Sequence, residues 1–258
     1  MTDLDPHRLD RGDGEFIAYQ AGAGAGPAVV FCPGFNSDMA GIKATALADF
    51  CAAESRAYVR FDYFGHGLSS GDVIDGTIGR WADDAVAVID HLTDGPVVLV
   101  GSSMGGWIML LAALARPERI AGLVGIAPAP DFTRRLWDNA TDDVRHTLKT
   151  EGVYRRPSQY SDEPYTFTLK LIEDGNARTL LDRPPIPIHC PVRILHGMAD
   201  PDVPWALSLA LVDALASKDV DVTFVKSGDH RLSTPSDIDL LTTTVGKLLA
   251  ITDRVTGN

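Results

Sequence analysis

The segment that decides the reading is Val97-Val98-Leu99-Val100-Gly101-Ser102-Ser103-Met104-Gly105-Gly106-Trp107. Its first four residues are apolar and β-branched or bulky, as a strand buried on both faces requires. From Met104 to Ala115 the chain is apolar, and it meets Pro117 just beyond, so a helix that stops before that proline is predicted there. Between strand and helix lies G-x-S-x-G, with Ser103 in the serine position and Ser102 in the variable one. The bare pattern is common. Flanked by a strand and a helix, it describes a sharp turn that lifts one serine to the carboxyl edge of a sheet, over a helix N-terminus. The glycines are needed because side chains at either flank would strike neighbouring backbone. The helix dipole and its free N–H groups favour negative charge developing at that serine.

Strands and helices alternate on both sides of this turn. Strands are predicted at 15–20, 28–32, 57–61, 97–100, 120–126, 192–195 and 220–225, and helices at 41–54, 77–92, 104–115, 205–216 and 236–251. Repeated β-α-β units imply a mostly parallel sheet with helices on both faces. The Gly-rich stretch 21–27 is not a phosphate loop, because a strand follows it and no Gly-Lys-Ser/Thr is present. The alternation lapses over about 131–188. That stretch is richer in charge, proline and aromatics (Phe132, Trp137, Tyr154, Tyr160, Tyr165 and Phe167) and reads as a partly helical insertion that roofs a pocket. A length of 258 residues suits one domain, 1–258, carrying this insertion as a cap.

A serine hydroxyl needs a base, and the base an orienting acid. In a fold of this kind they follow the serine in the order acid, then histidine, in loops after the last two strands. His230, in Ser227-Gly228-Asp229-His230-Arg231, follows the strand 220–225. Asp200, in His196-Gly197-Met198-Ala199-Asp200-Pro201-Asp202, follows the strand 192–195, with Asp202 as the alternative acid. The oxyanion of a tetrahedral intermediate needs donors. The Met104 N–H is one, and the Phe35 N–H, in Pro33-Gly34-Phe35, is the other, with Asn36 a lesser contributor. The loop Asp62-Tyr63-Phe64-Gly65-His66-Gly67-Leu68-Ser69 closes over a strand end. His66 and His196 are read as structural. Trp107, Leu68 and Arg231 are candidates to touch substrate. Arg134-Arg135 and Arg155-Arg156 would suit a carboxylate on a leaving group, although arginines of such an insertion are commonly solvated.

The remaining composition mainly excludes. A net charge of −12 repels phosphate backbones and anionic lipid, so no nucleic-acid or membrane-surface role is expected. No apolar run is long enough to cross a bilayer. Three widely spaced cysteines without CxxC argue against a disulfide framework or zinc site. No metal or cofactor is expected. The opening Met1–Asp10 is polar and acidic, without an apolar signal core or an Arg-rich amphipathic helix, and a cytoplasmic location is expected.

Taken together, Gly101–Trp107, Ala115-Arg116-Pro117-Glu118, His196-Gly197-Met198 with Asp200, Val203-Pro204-Trp205 and Asp229-His230-Arg231 resemble the α/β-hydrolase domain-containing protein ten family, over about 29–249. The resemblance implies an α/β-hydrolase fold and a serine hydrolase of acyl esters or acyl thioesters, as in palmitoyl-protein thioesterase or mycophenolic acid acyl-glucuronide esterase. It assigns the nucleophile to Ser103, the acid to Asp200 and the base to His230. Small-molecule or acylated substrates are the expected partners. A general carboxylesterase or lactonase, and a non-catalytic small-molecule receptor on the same fold, remain as alternatives. A haloalkane dehalogenase would carry Asp where Ser103 stands.

Overall fold

The computed structural model describes residues 6–157 and 164–256, with Tyr160 of the insertion outside them. One eight-stranded sheet organises the chain. Its strands are β1 (His7–Asp10), β2 (Phe16–Gly22), β3 (Ala25–Cys32), β4 (Arg56–Phe61), β5 (Val97–Ser102), β6 (Ile120–Ile126), β9 (Val192–Gly197) and β10 (Val220–Val225). The numbers β7 (Val153–Arg156) and β8 (Tyr165–Thr168) belong to a separate two-stranded pair. The sheet order is β1-β2-β4-β3-β5-β6-β9-β10. β2 pairs antiparallel with both β1 and β4; from β4 to β10 every pairing is parallel.

Strand alternation explains the continuous apolar runs. Ala28, Val30 and Cys32 of β3, with Val97 and Leu99 of β5, join the core on one face. Val29, Phe31, Val98 and Val100 join the core on the other. Both faces of the central strands are covered, so neither set of side chains can be polar. The first face is covered by α2 (Ile78–Leu92) and α3 (Met104–Ala115), and holds α7 (Ala206–Ala214) too; the second by α1 (Ile42–Ala53) and α8 (Pro235–Thr256). α2 begins where predicted because Thr77 caps it, its hydroxyl accepting the Arg80 N–H at 3.1 Å. Of the apolar residues that the sequence spaces at helical intervals here, Ile78, Trp81, Ala85, Val88 and Ile89 are buried and Leu92 is half-buried.

The order places the site. From β3 the chain crosses to β4 on one side, then returns to β5 on the other. The carboxyl ends of β3 and β5 are therefore adjacent while their following loops diverge, and the crevice of an open parallel sheet forms there. The loop after β3 carries Phe35; the turn after β5 carries Ser103.

Between β6 and β9 the chain leaves the sheet and forms α4 (Phe132–Asp138), α5 (Asp142–Glu151), the antiparallel pair β7–β8 and α6 (Leu169–Asn176). The sequence indicated helices here but not the two strands. β1 was also missed. It is a short edge strand with largely exposed residues, held by its pairing with β2, and its composition carries no strand signature.

Candidate active site

Ser103 sits in a backbone conformation that L residues rarely adopt, with φ 53° and ψ −118°. Such a residue persists only where its surroundings over-determine it. Here its N–H donates to the Ile126 carbonyl at 2.9 Å, and its own carbonyl accepts from Gly106 at 2.9 Å and from Ala129 at 3.0 Å. The glycines make the turn possible. A Cβ at Gly101 would overlap the Gly105 carbonyl, and one at Gly105 would overlap the Cys32 and Pro33 carbonyls. These obstacles are backbone and cannot rotate away. Gly105→Ala is expected to cost about 1–3 kcal/mol as an overpacked core site. A thermal melt should record that as a drop of several degrees.

The Ser103 Oγ lies 3.1 Å from His230 Nε2, and His230 Nδ1 lies 2.7 Å from Asp200 Oδ2. Three residues far apart in the chain thus form one hydrogen-bonded row. The loops that carry them are fastened to each other. Ala199 donates to the Gly228 carbonyl at 3.0 Å, and Met198 to the Val225 carbonyl at 2.9 Å. Asp229 shapes the histidine loop, its carboxylate accepting the N–H groups of Arg231 and Leu232. Lys43 Nζ, from α1, donates to the Arg231 carbonyl at 2.6 Å and so tethers the same loop.

Asp200, not Asp202, meets the ring. Its other oxygen, Oδ1, accepts the N–H groups of Asp202 and Val203 at 2.8 and 2.9 Å. His196 supplies a further donor: its Nε2 lies 3.0 Å from the Val203 carbonyl and 3.3 Å from Asp200 Oδ2, while Nδ1 faces the Ser208 hydroxyl at 2.7 Å. Burial alone would raise the Asp200 pKa. Hydrogen bonds from His196, His230 and the Val203 N–H outweigh it and hold the carboxyl well below the usual carboxylate range. His196 is thus structural in a specific sense, helping to keep this acid ionised.

A cavity of about 300 Å³ opens over Ser103 and His230. Phe35 and Met104 both line it. Met104 is the first residue of α3, so its N–H has no intrahelical acceptor. Among the described residues none accepts the Phe35 N–H. The Asn36 N–H, by contrast, is taken by His66 Nε2 at 3.2 Å. The Phe35 ring is held from two sides. Trp81 and His66 lie 5.7 and 6.0 Å from it in the main body; Phe167, Tyr165 and Phe132 of the insertion lie 5.5, 6.0 and 6.3 Å away.

Two candidate substrate contacts are corrected. Trp107 is fully buried, packs edge-on against Phe132 at 5.7 Å and does not line the cavity. Its position in α3 points it into the core between sheet and insertion. Leu68 is 60% exposed and also lies off the cavity, because the loop's inward turn is made by the Leu68 N–H, which donates to Asp62 Oδ2 at 2.8 Å. Arg231 does line the cavity. So does one arginine from each pair in the insertion, Arg135 and Arg156, whereas Arg134 pairs on the surface with Asp138. With Lys43, four cationic residues line the pocket of a chain whose net charge is −12; Asp38 and Asp202 line it too. Of the insertion's aromatics, Phe132, Tyr165 and Phe167 line it.

A family model described as "Alpha/beta hydrolase family" matches residues 29–238. "Palmitoyl-protein thioesterase ABHD10, mitochondrial" of Homo sapiens is 41% identical over 242 residues, covering 93% of this chain and 79% of that protein. This chain belongs to the ABHD10 family of α/β hydrolases. The Bos taurus member is equally similar, at 41% over the same shares. The solved structure of mouse ABHD10 superposes with a TM-score of 0.89 at 40% identity, covering 95% of this chain and 98% of that one. A putative hydrolase from Agrobacterium vitis S4 superposes at 0.90 with 41% identity and the same coverage. The α/β-hydrolase fold and the resemblance to ABHD10 are thereby borne out, the chain is a hydrolase, and the receptor alternative is set aside. The expected cytoplasmic location is overturned, since the ABHD10 relatives are named as mitochondrial proteins. No described helix is long and apolar enough to cross a membrane.

Proposed function

We propose that this ABHD10-family hydrolase acts on acyl thioesters or esters through a covalent acyl-enzyme, with Ser103 as nucleophile. The observation that carries the reading is the row Asp200–His230–Ser103 at 2.7 and 3.1 Å, opening on a cavity beneath the insertion. Ser103 Oγ attacks the acyl carbon while His230 Nε2 takes its proton, and Asp200 holds the ring tautomer and stabilises the imidazolium. The carbonyl oxygen, now an oxyanion, rests on the N–H groups of Phe35 and Met104. Collapse of the tetrahedral adduct breaks the bond to the leaving thiol or alcohol, which takes the proton from His230. A water molecule, deprotonated by His230, then attacks the acyl-serine; its collapse releases the acid and returns the proton to Ser103.

The named activity of the relatives favours a long-chain acyl thioester, as in depalmitoylation. Matched acyl-thioester and p-nitrophenyl ester series, with intact-mass detection of an acyl adduct on Ser103, test both parts of the reading. Faster turnover of thioesters through that adduct supports it. Turnover without any adduct defeats it.

One observation favours acyl glucuronides as a second substrate class. Among the described residues no partner bonds Arg135 Nη1, a buried atom on a side chain that lines the cavity. Burial lowers its pKa, and the charge of Asp200 opposes that effect. A buried, unbonded guanidinium nitrogen is costly, and a substrate carboxylate would relieve it. Arg135→Gln should therefore slow an acyl glucuronide more than an uncharged ester of the same acid; equal effects would remove this second class.

A further inference from the structure

His66 belongs to the loop 62–69, which the chemistry above leaves unused. It is buried, and both of its ring nitrogens are engaged. Nδ1 lies 3.2 Å from the Phe64 carbonyl, and Nε2 lies 3.2 Å from the Asn36 N–H. A carbonyl only accepts and a backbone N–H only donates, so the ring is neutral with its proton on Nδ1. Burial favours that neutral form and pushes the pKa down, against the pull of the Phe64 carbonyl.

The acceptor at Nε2 acts on the turn that carries Phe35. Asn36 has φ 54°, the left-handed region that Asn tolerates better than most residues, and its N–H goes to His66. That leaves the neighbouring Phe35 N–H for the cavity. The turn itself abuts the nucleophile, since a Cβ on Gly34 would lie 3.6 Å from the Ser103 Cβ. The support behind His66 is rigid. The Phe64 carbonyl also accepts Trp81 Nε1–H at 3.0 Å, and the Trp81 and His66 rings meet edge-on at 5.2 Å. Asp62, from the same loop, ties both segments at a second point, accepting the N–H groups of Met39 at 2.6 Å and Leu68 at 2.8 Å.

We infer that His66 is a positioning residue for the reaction: by accepting the Asn36 N–H, it fixes the Pro33–Asn36 turn so that the Phe35 N–H faces the oxyanion formed at Ser103. The inference rests on the reading of Ser103 as nucleophile and Phe35 as oxyanion donor. It makes the two N–H groups of one turn divide the work, Asn36 anchoring and Phe35 serving the substrate.

The test compares His66→Phe, which keeps a ring but no acceptor, with His66→Gln, whose amide oxygen can reach the place of Nε2. His66→Phe should lower kcat by about 10²-fold, approaching the loss of one oxyanion donor, with KM nearly unchanged. His66→Gln should restore most of that loss. An acyl trifluoromethyl ketone, which forms an oxyanion adduct with the serine, should bind His66→Phe weaker by the same factor as kcat falls. An unreactive ether of the same chain should bind both proteins alike. Unchanged kcat in His66→Phe, or equal weakening of ketone and ether, overturns the inference. If the variant does not fold, imidazole ¹⁵N spectra of the unaltered protein decide the matter: a proton on His66 Nε2 overturns it, and a proton on Nδ1 supports it. Ser103→Ala separates the two readings. Turnover that survives it rejects the nucleophile assignment; turnover that it abolishes while His66→Phe remains fully active rejects the role of His66 alone.

Discussion

Ser103→Ala is expected to lower kcat on every ester and thioester substrate by on the order of 10⁶-fold, the scale seen when a serine hydrolase loses its nucleophile. The fold should survive. Ala carries the same Cβ as Ser into the φ 53° turn, so the backbone strain is unchanged, and among the described residues the one side-chain hydrogen bond lost is that to His230 Nε2. The backbone bonds that hold the turn, to Ile126, Gly106 and Ala129, do not involve the hydroxyl. The check is a continuous ester assay beside a thermal melt and an intact-mass measurement. A variant with a native melting curve, no acyl adduct and no turnover is the expected outcome. A stable variant that keeps an appreciable fraction of wild-type kcat would reject the assignment.

Asp200→Asn is expected to cost about 10⁴-fold in kcat with little change in shape. Every neighbour of this carboxylate is a donor. Oδ1 takes two backbone N–H groups, so the amide oxygen of an asparagine must occupy that place. The amide NH₂ then faces His230 Nδ1 and His196 Nε2. His230 Nδ1 can only accept from it, which moves the ring proton to Nε2, where it blocks transfer from Ser103. His196 keeps the Val203 carbonyl as an alternative acceptor. The same carboxylate contributes to acid stability. Its folded pKa lies below the unfolded value of about 3.9, so its contribution is fully present above that pH and fades as the pH falls toward the folded value. Melting temperatures measured from pH 6 downward should fall steeply below about pH 4 in the wild type, with a shallower slope in Asp200→Asn. Parallel slopes would contradict the depressed pKa.

Much of this arrangement was legible in the chain because it is local. The strand–turn–helix around Ser103 is written in the consecutive residues 97–115, by two apolar runs joined through small ones. The loops bearing Asp200 and His230 were found from their order after the last two parallel strands, and the structure brings both residues to Ser103. What sequence did not show depends on which way a side chain points. Trp107 and Met104 are three positions apart on one helix and both are buried, yet only Met104 lines the cavity. Arg134 and Arg135 are adjacent, and only the second lines the cavity. The β7–β8 pair was missed because each strand is four residues long and is stabilised by its partner across the insertion rather than by its own pattern. His66 and His196 were placed in structural roles, but their particular partners, an amide beside the oxyanion turn and the carboxylate of the acid, needed coordinates to see.

The phenyl ring of Phe35 touches Trp81 and His66 below it and three aromatic rings of the insertion above it. A roof that shared no atoms with the machinery could drift during evolution and alter only which acyl groups fit. Here the roof leans on the residue whose backbone is assigned to hold the transition state. A ligand that lifted the insertion would also loosen that support, so admission of a bulky chain and speed of its cleavage would trade against each other. Changes in the aromatic residues at 132, 165 or 167 should accordingly be felt in turnover as well as in substrate choice.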